Sequence, residues 1–175
     1  MQAMGSVAAV ILMLGVTAMA DSPRPTVKTQ AGQVRGIVRG SVAEYFGIPY
    51  AAPPIGELRW QPPKPHANWA GILDASRVGS VCAQMKFRHP GMQGSEDCLY
   101  LNIYTPSTGS HRLPVMVWIH GGTFIGGAGA WYHGDKLAAR GNLIVVMINY
   151  RLGPFGFLAS PSLDGADPRR HSGNY

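Results

Sequence analysis

The sequence predicts an α/β fold in which an antiparallel β meander precedes the first parallel strands of a central sheet, and three observations carry that expectation. Two continuous apolar runs rich in Val and Ile stand at residues 113–119 and 143–148. Such runs suit strands buried on both faces of a parallel sheet better than half-exposed ones. Between them, residues 132–140 form the one credible short helix, closed by Gly141 as its C-terminal cap. Two such strands joined through a helix make a right-handed parallel crossover. Upstream, short β-prone runs alternate with glycine turns, as in a meander.

In chain order, residues 26–30 and 33–39 read as strands about a turn at Ala31-Gly32, and Gly40-Ser41 leads into a third at 42–48. Residues 49–65 hold six prolines in seventeen, which excludes helix over most of that stretch. A short turn is expected at 69–76 and a Gly- and Pro-bearing loop at 82–98. Leu99, Leu101 and Ile103 alternate with Tyr100, Asn102 and Tyr104, which argues a strand. A polar loop at 107–112 leads to the run at 113–119, and residues 153–175 read as turn-rich, without a closing element.

Composition narrows the class. A chain of 175 residues, 46 % apolar and only 14 % charged, builds a core and is not disordered. The net charge of +6 comes from scattered basic residues, never more than two in a row, so a nucleic-acid partner is not expected. No C-x-x-C or H-x-x-x-H spacing supports a metal. Residues 1–20 lack Lys, Arg, Asp and Glu, carry an apolar core at 7–16, and end with small residues at Ala18 and Ala20. That is a signal-peptide pattern, with a mature chain from Asp21 that is secreted or periplasmic and keeps no integral membrane span. It departs from the pattern in lacking a basic side chain before Val7, and an uncleaved anchor would need a longer apolar span.

In an oxidising compartment Cys82 and Cys98 can close a loop worth about 3 kcal/mol; the alternative is two buried free thiols. The glycines after the first buried strand, His120-Gly121-Gly122, sit where an open α/β sheet places its ligands. Backbone amides there can hold the oxyanion of an acyl transfer. A plain glycine turn or a phosphate cradle fits the same residues, although no Gly-Lys-Ser/Thr follows and residues 122–129 contain no G-x-G-x-x-G.

Several stretches taken together resemble one family, the type-B carboxylesterases of the α/β-hydrolase fold. They are Phe46-Gly-Ile-Pro-Tyr-Ala51, Pro53-Pro-Ile-Gly56 with Arg59, Ser95-Glu-Asp-Cys-Leu-Tyr-Leu-Asn102, residues 114–124, Ile148-Asn-Tyr-Arg-Leu-Gly153 and Gly156-Phe157-Leu158. The resemblance implies a serine hydrolase of carboxylic esters that needs water, a small-molecule ester and no cofactor. It implies oxyanion donors at the amides of Gly122 and Thr123, with Gly121 permitting the turn. Thr123 stands where many relatives carry a third glycine. The resemblance further implies a Cys82–Cys98 disulfide and an internal ion pair of Arg59 with Glu96. Loop 82–98 holds Phe87 but no Trp, which argues against the choline esters that cholinesterases bind on an aromatic platform.

No serine of the chain has the G-x-S-x-G setting of a nucleophile elbow. In the family that elbow follows the Gly173-Asn174 motif, so His120, His133 and His171 all precede it and none fits the catalytic base. Residues 21–175 are therefore expected to be the N-terminal portion of an esterase, truncated before the elbow and inactive alone. Two alternatives stand beside the hydrolase: a non-catalytic adhesion or interaction protein on the same fold, and an inactive gene fragment.

Overall fold

Gly36 divides the N-terminal β material between two sheets. The computed structural model describes residues 24–86, 88–107, 109, 112–164 and 173–175. The signal-peptide pattern at 1–20, Phe87 and His171 lie outside the described residues. β1 (Thr26–Lys28) pairs antiparallel with β2 (Gln33–Arg35), while β3 (Ile37–Arg39) pairs antiparallel with β4 (Val42–Pro49) in a different sheet. The single strand expected at 33–39 is thus two. A Cβ on Gly36 would meet the Glu44 carbonyl at 2.3 Å, so the crossing point has room only for glycine.

The turn expected at 69–76 contains β5 (Ile72–Asp74), parallel to β2. Three residues are too few for a period to show. Trp69 closes this small sheet by donating its indole N–H to the Gln33 carbonyl at 2.9 Å. The loop at 82–98 likewise holds a two-strand ladder, β6 (Gln84–Met85) with β7 (Met92–Gln93).

The larger sheet has β8 (Tyr100–Pro106) at its centre, between β4 and β10 (Ile144–Ile148), and β9 (Val115–Ile119) at one edge; its order is β3-β4-β8-β10-β9. β9 and β10 run parallel and in register, Val115 opposite Ile144 and Ile119 opposite Ile148, while the other pairs are antiparallel. The meander followed by a parallel pair is as expected. Both faces of β8 are covered, and its polar-looking phase is the more buried: Asn102 and Tyr104 lie inside, Leu101 and Ile103 are half-buried. Asn102 is satisfied there because its Oδ1 accepts the Gly47 amide at 3.0 Å, where β4 slips register.

α1 (Asp135–Gly141) covers one face of β8, β10 and β4, sealing a cluster of Phe46, Tyr104, Ala138, Val145 and Met147. Gly141 is not its cap. Asn142 takes the left-handed position at φ 47° and donates its amide to the Ala138 carbonyl, as asparagine can. The helix also starts later than residue 132, after a 3-10 turn at Gly129–Trp131. The region after 153 holds two short helices, α2 (Gly153–Phe157) and α3 (Pro161–Asp164). Among the described residues no helix is long and apolar enough to cross a membrane.

β9 departs most from expectation. It is not buried on both faces: Val115, Val117 and Ile119 are 60 %, 55 % and 64 % exposed. Among the described residues nothing packs on that face or pairs with its outer edge, and an apolar open edge is a template for association. A polypeptide of residues 24–175 alone is expected to sediment as oligomers, with Val117→Lys raising its monomer fraction. A wild-type monomer with one cooperative unfolding transition contradicts this.

Candidate active site

Because β9 and β10 end in register, His120 and Asn149 lie side by side just past the carboxyl edge of the parallel pair. From this edge the chain folds into a turn at 121–126, closed by the amides of Ile125 and Gly126, which donate to the Gly122 carbonyl at 3.0 and 3.1 Å. Gly122 has φ 129°, and a Cβ there would fall 1.8 Å from the Gly126 carbonyl oxygen. The structure therefore gives the glycine-only role to Gly122, where the resemblance implied Gly121. Gly121 has open space around its Cβ position.

Thr123 and Phe124 follow with φ 52° and 62°, a left-handed pair that costs about 1–3 kcal/mol per residue and persists only where neighbours impose it. All of residues 121–125 are exposed. Among the described residues the amides of Gly122 and Thr123 meet no acceptor. They border a cavity of about 520 Å³, with Tyr150, Phe124 and Phe157 among its walls. A second cavity, of about 570 Å³, lies beside Arg39 and Glu44. Glu44 shares the register level of Val145, away from the Ile148 end of β10.

His120 is 2 % exposed and lies flat on Tyr150, centroids 4.4 Å apart. Its Nδ1 is 2.8 Å from the Gly121 carbonyl, which can only accept, so the proton sits on Nδ1. Tyr150 donates its hydroxyl to the His120 carbonyl at 2.8 Å. His120 is thus a wall of the site, and Nε2 has no partner among the described residues.

The disulfide loop abuts this edge. Cys82 is bonded to Cys98, and both are buried. Arg59 grips Glu96 in a two-pronged pair, Nε to Oε2 at 2.5 Å and Nη2 to Oε1 at 2.6 Å. Its guanidinium lies over Trp60 and Phe155 at 5.6 and 5.9 Å. The hydrogen bonds to Glu96 raise the Arg59 pKa first, with the carboxylate charge adding to them. With Arg59 part-exposed, the pair registers loops more than it stabilises them.

Three residues had no assigned role in the sequence. Asn149 accepts the Gly129 amide at 2.9 Å and donates to the Ser80 and Cys98 carbonyls at 3.0 and 3.1 Å. Gln84 clamps the main chain of Gly127. Arg151, 3 % exposed, donates to the Gln61 carbonyl at 3.0 Å and faces the Tyr175 ring at 5.6 Å; burial lowers its pKa. Asn149 and Arg151 were inside a matched stretch. Gln84 gave no signal beyond its place two residues after a cysteine.

The sequence model of the carboxylesterase family matches residues 23–175. The chain is 47 % identical to the fumonisin B1 esterase of Sphingopyxis macrogoltabida over 174 residues, 93 % of this chain and 32 % of that protein. It is 49 % identical to the para-nitrobenzyl esterase of Bacillus subtilis, over 80 % of this chain and 30 % of that one. A solved PNB esterase superposes with TM-score 0.77 at 49 % identity, covering 87 % of this chain and 31 % of that chain. The chain spans about a third of the length of the relatives it matches.

The two glycines are expected to separate on mutation. Gly122→Ala should cost roughly 2–4 kcal/mol in the protein that carries this segment, since a main-chain oxygen must move. Gly121→Ala should stay within about 0.5 kcal/mol. Denaturant midpoints check both, and equal losses would refute the assignment.

Proposed function

The chain belongs to the carboxylesterase family, and on that premise we propose that the protein is a serine hydrolase of carboxylic esters whose oxyanion is held by the amides of Gly122 and Thr123. The single observation carrying this reading is the pair of exposed, acceptor-free amides beside a cavity at the carboxyl edge of the parallel strands. The nucleophilic serine, its acid and its His base would come from chain beyond Tyr175, since no serine here has an elbow setting.

In that mechanism the serine attacks the ester carbonyl while His takes its proton. The carbonyl π electrons move to oxygen, and the Gly122 and Thr123 N–H groups meet the new charge. His returns the proton to the departing alcohol, and water repeats the sequence on the acyl-enzyme. Chain dipoles already aimed at the oxyanion need not reorganise as the charge develops, which is why such donors act strongly in a partly dry site.

Phe124, 61 % exposed, leans on Phe157 with centroids 4.8 Å apart. This aromatic wall beside the amides suits an ester with an apolar or aryl group. The residue 1–20 pattern and the disulfide support export to an oxidising compartment.

The test is hydrolysis of short-chain p-nitrophenyl esters by the full-length protein, together with labelling by a fluorophosphonate. Turnover and one labelled serine are expected. Neither turnover nor label would overturn the reading in favour of a non-catalytic interaction protein.

A further inference from the structure

We propose that Gln84 is a positioning residue for the oxyanion turn, holding the Gly122 and Thr123 amides in place through Gly127; this rests on the hydrolase reading above. Gln84 stands on β6, two residues after the disulfide-bonded Cys82, and is 3 % exposed. Its Oε1 accepts the Gly127 amide at 2.9 Å, and its Nε2 donates to the Gly127 and Cys82 carbonyls, each at 2.9 Å. Both polar groups of one side chain therefore hold both polar groups of one glycine. The N–H belongs to the peptide before Gly127 and the C=O to the peptide after it, so the clamp restrains the residue through both. A single hydrogen bond would leave rotation free.

Gly127 passes that constraint on by contact. It has φ 125°, and a Cβ there would lie 2.3 Å from His120 Nδ1 and 2.6 Å from the Gly121 carbonyl oxygen. Its neighbour Gly126 presses its carbonyl against Gly122 and donates its amide to the Gly122 carbonyl. Residues 126–127 are the floor beneath 121–122, so close that neither Gly122 nor Gly127 has room for a side chain. If the floor moves, the oxyanion amides move with it.

The floor needs an outside anchor because the turn itself is strained. Thr123 and Phe124 both have positive φ without being glycine; the bonds of Ile125 and Gly126 to Gly122 are local, and the Gly153 amide, which donates to the Phe124 carbonyl at 2.7 Å, holds Phe124 from outside the turn but not the floor. Gln84 ties it to the disulfide loop, an element 43 residues away in sequence. The buried disulfide makes that anchor rigid, and its burial argues that the link is constant and not a redox switch.

The test compares wild type, Gln84→Leu and Gln84→Glu in the full-length protein on a p-nitrophenyl ester. Leu fills the space without hydrogen bonds. Its kcat is expected to fall roughly tenfold to a hundredfold with KM within about threefold, since a displaced donor weakens the transition state more than ground-state binding. Peptides spanning 126–129 should exchange amide hydrogens faster. A protonated Glu can still accept from the Gly127 amide and donate to its carbonyl. An ionised one faces the Gly127 and Cys82 carbonyls with a negative charge, and that setting raises its pKa.

The ratio of Gln84→Glu to wild-type kcat should therefore rise as pH falls from about 8 to about 6, where burial and facing carbonyls protonate the carboxyl. A merely structural role would not produce that rescue, and the ratio decides the matter even if the Leu variant fails to fold. A flat ratio, or an active wild type whose Leu variant keeps its kcat, overturns the Gln84 assignment alone. A wild type without turnover or phosphonate labelling overturns the hydrolase reading and this inference with it.

Discussion

The arrangement of the site depends on one buried side-chain amide, that of Asn149. It follows β10 directly, is 4 % exposed, and joins three elements: the chain beyond the turn at 121–126 through Gly129, the disulfide loop through Cys98, and the segment before that loop through Ser80. Its main chain is held too, its amide donating to the Tyr100 carbonyl and its carbonyl accepting from Tyr50. Burial pushes the Tyr50 phenol up to about 12, opposed slightly by Arg151, so it remains a neutral donor. An apolar residue here would orphan the buried Gly129 amide, at about 1–3 kcal/mol, and would strip the Ser80 carbonyl of its partner, while the Cys98 carbonyl keeps the Tyr100 amide. The geometry of the edge thus follows from the parallel register of β9 and β10 and from this residue at its end.

What the sequence made legible divides along physical lines. Runs with a long repeat or a composition of their own were readable: the apolar cores of β9 and β10, the alternation in β8 and the prolines at 49–65. Pairings that rest on one contact were not. The split at Gly36 depends on how closely the Glu44 carbonyl passes, and β5 exists because β2 offers it an edge. Continuous hydrophobicity correctly marked β9 as a sheet strand, but cover on its faces is a property of neighbours: Met116 packs on the core, while among the described residues the face of Val115, Val117 and Ile119 is open.

The candidate site shows the same division. His120-Gly121-Gly122 announced a turn at a strand end, and the turn is there. Which glycine the backbone needs was hidden, because Gly121 and Gly122 differ only in φ and in the approach of Gly126. Gln84 was invisible for a related reason. A glutamine in a loop reads as solvated surface, and only the fold brings Gly127 to its amide.

This distribution of contacts bears on how the proposed oxyanion site is built. The proposed donors sit on a turn whose left-handed Thr123 and Phe124 are costly, so something must hold them there before any substrate arrives. Contacts among the described residues do so: the Gly153 amide on the Phe124 carbonyl, the Gly127 clamp, the Tyr150 bond to the His120 carbonyl, and Asn149 behind Gly129. The face of β9 formed by Val115, Val117 and Ile119, by contrast, has no such partner among the described residues. Positioning of the dipoles and cover of the strand that bears them are thus separate problems. The short polar contacts solve the first locally, leaving the second to hydrophobic burial, which is non-directional and tolerant of what supplies it. A site that relies on dipoles fixed in advance of the charge they meet gains from that separation, since motion in the strand's outer cover need not reach the amides.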